Sequence, residues 1–105
     1  MKLTQVDMPY WPSGMFRGLC ELSLSVDEVE ERFGLKFRSD RDDLGPYEWA
    51  AAELEGFGCV LFMIYTESLE KLVVIYVDLA EEPSSALRTV VARLQLRGSE
   101  ILKSG

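Results

Sequence analysis

The chain has 105 residues, no histidine, and eighteen acidic against eleven basic side chains, for a net charge of −7. The missing histidine removes the usual general base and the commonest metal ligand. The negative balance disfavours nonspecific binding to nucleic acid or anionic lipid, whose phosphates call for Lys and Arg. What remains is one domain of ordinary size, expected to bury about 65% of its unfolded surface, with 48% hydrophobic residues and eleven aromatics to offset the chain entropy.

The charge is unevenly placed. Residues 21 to 55 hold eleven acids against four bases, which accounts for the whole excess, and the rest of the chain is neutral. A block of this kind keeps a protein in solution and attracts a basic protein partner.

The first eighteen residues read as an extended arm, because Pro9-Tyr10-Trp11-Pro12-Ser13-Gly14 sets two aromatics between prolines. They lack the apolar core of a signal peptide. The longest apolar run, residues 59–65, is far too short to span a bilayer, so a cytoplasmic protein is expected. Cys20, Leu22 and Leu24 alternate with polar neighbours, the period of a strand with one buried face.

Ser25 followed by Glu28 is a capping box, with Leu24 and Val29 placed as a hydrophobic staple. Val26, Val29 and Phe33 mark one face of a helix over 26–33, and Gly34 supplies its left-handed stop. Asp27 and Glu31 fall on its outer face. Residues 35–38 alternate as a short strand, and 39–46 read as a charged loop carrying Asp40, Asp42 and Asp43. Three alanines allow 47–54 to be a helix, but Tyr47, Trp49 and Ala51 alternate with their neighbours. A strand is preferred, since Glu55-Gly56-Phe57-Gly58 then forms a hairpin turn.

Residues 59–65 and 72–78 are β-rich and almost continuously apolar, as expected of an antiparallel pair of central strands. After Pro83, Ser84 or Ser85 is placed to cap a second helix over 85–96, with Leu87, Val90, Val91 and Leu94 as its stripe and Gly98 as its end. The architecture that satisfies these elements is α+β: an antiparallel sheet of four to five strands with two short helices packed against it.

Catalytic, cofactor-binding and metal-binding residues are not expected, and neither is a cofactor. The two cysteines have no zinc spacing, and Gly56-x-Gly58 sits in a hairpin without the helix that a phosphate loop requires. Cys20 and Cys59 fall in apolar strands, where thiols are inert small hydrophobes, and a disulfide between them is left open. Tyr47-Glu48-Trp49 beside the acidic loop is the best cluster for gripping an Arg-rich surface, while edge packing of a small core is the plainer account of Tyr10, Trp11, Tyr47 and Trp49.

The Gly45-Pro46-Tyr47-Glu48 lead into strands, Ile75-Tyr76-Val77-Asp78, and the closing helix followed by Ser99-Glu100-Ile101-Leu102 resemble the plan of small immunity proteins of bacterial toxin systems. The resemblance spans residues 19 to 103 and transfers no residue-level role. It implies a non-enzymatic protein-binding module that covers a basic toxin or nuclease through an acidic face. The residues expected to make that contact are Asp27, Glu31, Asp40, Asp42, Asp43, Tyr47 and Trp49. Two other classes stay open: a structural, homo-oligomer-forming module of a larger bacterial assembly, and a small-molecule-binding domain or carboxylate enzyme.

Overall fold

Local signals build the first helix. In the computed structural model, which describes residues 3–69 and 71–104, α1 (Val26–Phe33) begins at a complete capping box. Ser25 Oγ accepts from the Glu28 N–H at 3.1 Å, and Glu28 Oε1 accepts from the Ser25 N–H at 2.9 Å. Gly34 ends the helix in the left-handed conformation, φ 67°, which costs glycine nothing. Eight residues do not hold a helix alone, so α1 depends on burying Val29 and Phe33.

Seven strands are seen among the described residues, all antiparallel to their neighbours. They are β1 (Leu3–Val6), β2 (Phe16–Leu22), β3 (Arg38–Asp42), β4 (Gly45–Leu54), β5 (Gly58–Tyr65), β6 (Val73–Asp78) and β7 (Ile101–Ser104). The order across the sheet is β1-β4-β5-β6-β2-β7. β4 is long enough to take two short strands end to end on its outer side, β1 against residues 51–54 and β3 against residues 45–49. The sheet is therefore larger than the four or five strands expected, because both chain termini and the acidic segment join it.

The central strands and the strand over 47–54 form as read. β4 carries Ala50 and Ala52 beneath the helices, where small side chains let the helix layer come close. Together with Val60, Phe62, Val73, Ile75 and Val77 they meet Val29 and Phe33 of α1 and Ala86, Val90 and Leu94 of α2 (Pro83–Leu94) in one core. Both helices thus lie on one face of the sheet. Strand alternation sends the other set of side chains to the opposite face.

Three local expectations need correction. The residues read as a charged loop are mostly strand: β3 starts at Arg38 and pairs with β4 through Asp42, and only Asp43 and Leu44 turn the chain. Leu35 and Phe37 do face the core, but their backbone is not in a ladder. The Phe37 N–H donates to Glu30 Oε2 at 2.7 Å, and Lys36 exchanges bonds with the Gln5 side chain at 2.7 and 2.8 Å. Helix α2 is capped by Glu82 rather than by serine: its carboxylate accepts from the Ser84 and Ser85 N–H groups, and Pro83 takes the first helical position. It ends at Gln95, φ 56°, before Gly98, which instead opens a single 3-10 turn, Gly98–Glu100.

The opening arm is extended but built in. β1 is an edge strand, and Phe16 already belongs to β2. Because β1 and β2 lie on opposite sides of the β4-β5-β6 block, residues 7–15 must cross it. They do so over the face that the helices leave open.

Candidate functional site

Aromatic residues are sorted by face. Phe33, Phe37, Phe57 and Phe62 belong to the helix-covered core. Tyr47, Tyr65, Tyr76 and both tryptophans gather on the other face, around buried Ala51, Leu61 and Met63. Tyr and Trp carry an apolar body and a polar end, so they suit a surface that is half wet, whereas Phe suits a dry core.

The crossing segment is pinned at both ends. Near β2, the Asp78 carboxylate accepts from the Ser13 N–H at 3.0 Å and the Ala80 N–H at 2.8 Å. Those backbone bonds, Ser13's foremost, hold the Asp78 carboxyl below the usual range. Asp78 is one of the buried acids, and its role is to fasten the strap. At the β1 end, Arg38 reaches Asp7 at 2.7 Å. Between the pins, Trp11 stacks on Phe16 at 5.6 Å, and Phe16 meets Tyr76 edge-on at 5.5 Å.

A cavity of about 290 Å³ opens between strap and sheet. It is lined by Tyr47, Trp49, Leu61, Met63 and Tyr65 of the sheet, by Met8, Pro9 and Trp11 of the strap, and by Phe16 of β2. Asp40 and Asp42 close it from β3. The register explains their position: Asp40 stands opposite Tyr47, and Arg38 opposite Trp49, so every second residue of β3 shares the aromatic face.

The electrostatics follow from that packing. Tyr65 donates its hydroxyl to Asp42 Oδ2 at 2.6 Å, and this bond, with burial and the carboxylate charge, pushes the phenol up to about 12. Tyr47 is raised too, first by burial and then by the charges of Asp40 and Asp42. Both phenols therefore stay neutral donors beside two carboxylates. The Arg38 guanidinium lies 5.6 Å from the Trp49 ring centroid, an intramolecular cation–π contact. π faces, carboxylates and phenolic oxygens thus converge on one apolar hollow, the chemistry that receives a guanidinium or ammonium group.

The expected contact residues divide between the two sides of the molecule. Asp40, Asp42, Tyr47 and Trp49 come together at the cavity. Asp43 is exposed in the hairpin turn beside them, while Asp27 and Glu31 are exposed on α1, in the layer on the opposite side of the sheet. These residues therefore do not share one surface. Tyr65 and Met63 complete the site without an expectation attached to them, and Trp11, one of the four aromatics weighed between partner contact and edge packing, joins them. Tyr65 had a local signal, since it alternates with Leu61 and Met63 along β5, but Trp11 arrives only because the strap crosses the sheet.

Elsewhere the chemistry is quiet. Cys20 is buried, and desolvation pushes its thiol up to about 11; Cys59 is half-buried and also raised by burial, and both are free thiols. Among the described residues, no three acids or cysteines gather as a metal-binding group, and no helix is long and apolar enough to cross a membrane. Comparison with known proteins gives no match: no family model fits the chain, and neither a curated protein sequence nor a solved structure is significantly similar to it.

Proposed function

We propose that the chain is a non-enzymatic binding module that takes up a cationic side chain of a basic partner protein in the cavity beneath the strap. The observation that carries this reading is the convergence of Asp40 and Asp42 with Tyr47, Trp49 and Tyr65 around one apolar hollow. Aromatic faces attract a desolvated cation by about 2 kcal/mol or more, and the carboxylates add charge-assisted hydrogen bonds. The excess negative charge of residues 21 to 55 speeds encounter with a basic surface. Inhibition of a basic toxin or nuclease, in the manner of an immunity protein, is the most concrete biological form of this activity.

A second reading is favoured by the shape of the site. The cavity, at about 290 Å³, is near the lower end of ligand pockets, about 300–1,000 Å³, so a small organic cation is the competing occupant. Titration separates the two. Tryptophan fluorescence is followed while an arginine-containing peptide, or arginine amide alone, is added to wild type, Asp40→Asn/Asp42→Asn and Asp27→Asn/Glu31→Gln. The partner-binding reading requires tighter binding of the peptide than of the amide, with loss only in the first variant. Equal affinity for the amide favours the small-cation reading. Equal binding by all three proteins refutes both.

A further inference from the structure

The outer edge of β3 carries its own instruction about how a partner approaches. The Pro46 carbonyl accepts from the Thr66 N–H at 3.1 Å and therefore points toward β5, and proline has no N–H to offer. Arg41 stands opposite Pro46, so this pair contributes nothing to the β3–β4 ladder. Antiparallel pairs alternate between bonded and non-bonded. The ladder must then run through Arg38, Asp40 and Asp42, leaving the backbone groups of Ser39 and Arg41 facing outward. The Arg41 N–H is held by the side chain of its own neighbour, Asp40 Oδ1, at 2.8 Å. Among the described residues no strand lies along this edge, and all five residues of β3 are exposed.

We propose that an extended basic segment of the partner adds itself as a strand to this edge, carrying cationic side chains at alternate positions onto Asp40 and Asp42. This deepens the reading above and rests on it. An incoming antiparallel strand bonds through Ser39 and Arg41, and its carbonyl takes the Arg41 N–H that Asp40 now holds. The residue opposite Asp40 then sits in a non-bonded pair, the closer kind, with Cα atoms about 4.5 Å apart. That distance is well within reach of an Arg or Lys head group. The next residue on the same face is two positions along. Opposite Asp42 a second cation is favoured, and opposite Arg38 a cation is rejected. The segment recognised is therefore basic–x–basic followed by x and a neutral or acidic residue.

Charge also decides against a second copy of this chain as the occupant. The antiparallel register that sets Arg38 of one copy against Asp42 of the other sets Asp40 against Asp40, and like charges directly opposite destabilise a pair. Charged edge strands deter indiscriminate pairing. Here the same charges admit one class of strand.

The test uses a capped peptide in which threonine alternates with arginine opposite Asp40 and Asp42 and a glutamate stands opposite Arg38, titrated into the full chain by tryptophan fluorescence, with backbone N-methyl groups placed on the threonines or on the arginines. In the proposed register only threonine N–H groups point at β3. N-methylation of threonine should weaken binding about tenfold or more, the worth of one or two hydrogen bonds, while N-methylation of arginine should leave it nearly unchanged. Ser39→Pro, which removes an outward N–H and leaves the β4 ladder intact, should reproduce the loss. If the two methylated peptides bind alike yet Asp40→Asn/Asp42→Asn still weakens both, strand addition is overturned and the cavity reading stands. If no peptide binds wild type, both fall. A wild-type dimer in sedimentation that Ser39→Pro dissociates would overturn the partner strand in favour of self-pairing.

Discussion

Replacing Ser25 is the cleanest test of how this chain specifies its helix layer. Ser25 Oγ satisfies the Glu28 N–H at 3.1 Å, and the Glu28 carboxylate returns the favour to the Ser25 N–H at 2.9 Å. Alanine removes the first bond and leaves one donor of the first turn to water. Because α1 is only eight residues long and rests on Val29 and Phe33, that loss falls on an element with few other supports. The expected cost of Ser25→Ala is about 1 kcal/mol. In a domain near this size it corresponds to a fall in Tm of roughly 4–8 °C. Ser25→Gly is the informative control, since glycine at an N-cap loses only a few tenths of a kcal/mol, about a third of the alanine cost or less. Glycine is otherwise the more disruptive residue, so the order alanine worse than glycine is peculiar to a cap. Urea denaturation followed by circular dichroism measures both, with an unchanged slope showing that the unfolded reference is the same. A glycine variant less stable than the alanine variant, or alanine equal to wild type, would refute the assignment.

Three further outcomes follow from the packing and the ionisable groups. Glu100 forms a two-point ion pair with Arg32, 2.6 and 2.8 Å, and accepts from the Arg97 N–H, which together hold its carboxyl down at about 2 against an ordinary 4.5. Its stabilising contribution is complete above 4.5 and is lost as pH falls toward 2, so Glu100→Gln should be less stable at neutral pH and show a flatter acid-unfolding profile; parallel profiles would contradict this. Leu94→Ala, at a fully buried position, should cost about 2–4 kcal/mol, and the half-buried Leu87→Ala clearly less, as read by denaturation midpoints. A thiol reagent should label native Cys20 slowest and half-buried Cys59 faster, both slower than free cysteine; Cys20 reacting at the free-thiol rate would overturn its placement in the core.

What could be read from the sequence depended on whether the signal was local. α1 was legible because a cap, a stripe and a stop all lie within ten residues. β5 and β6 were legible because strands covered on both faces are apolar throughout, and β4 because its aromatics alternate. β3 was not, since a charged edge strand shows no apolar period, and its pairing is decided by the hairpin with β4. The α2 cap was missed because a glutamate carboxylate can reach the same donors as a serine. At the site, Tyr47 and Trp49 were found through their shared face. The acids could not be sorted, because nearness along the chain does not say which side of a sheet a residue occupies. Asp27 and Asp40 are thirteen positions apart and belong to opposite layers.

The central claim is that a cation enters the hollow between the strap and β3, and chemical-shift mapping reads its location directly. The protein, labelled with ¹⁵N, is titrated with the same capped peptide, unmethylated, at about 0.1 M and about 1 M salt, where the Debye lengths are about 10 Å and 3 Å. Shifts should concentrate at the Trp49 indole, Tyr47, Tyr65, Asp40 and Asp42, with none at Asp27 or Glu31, and binding should weaken at the higher salt. Shifts centred on α1, or shifts at the cavity that are indifferent to salt, would contradict it.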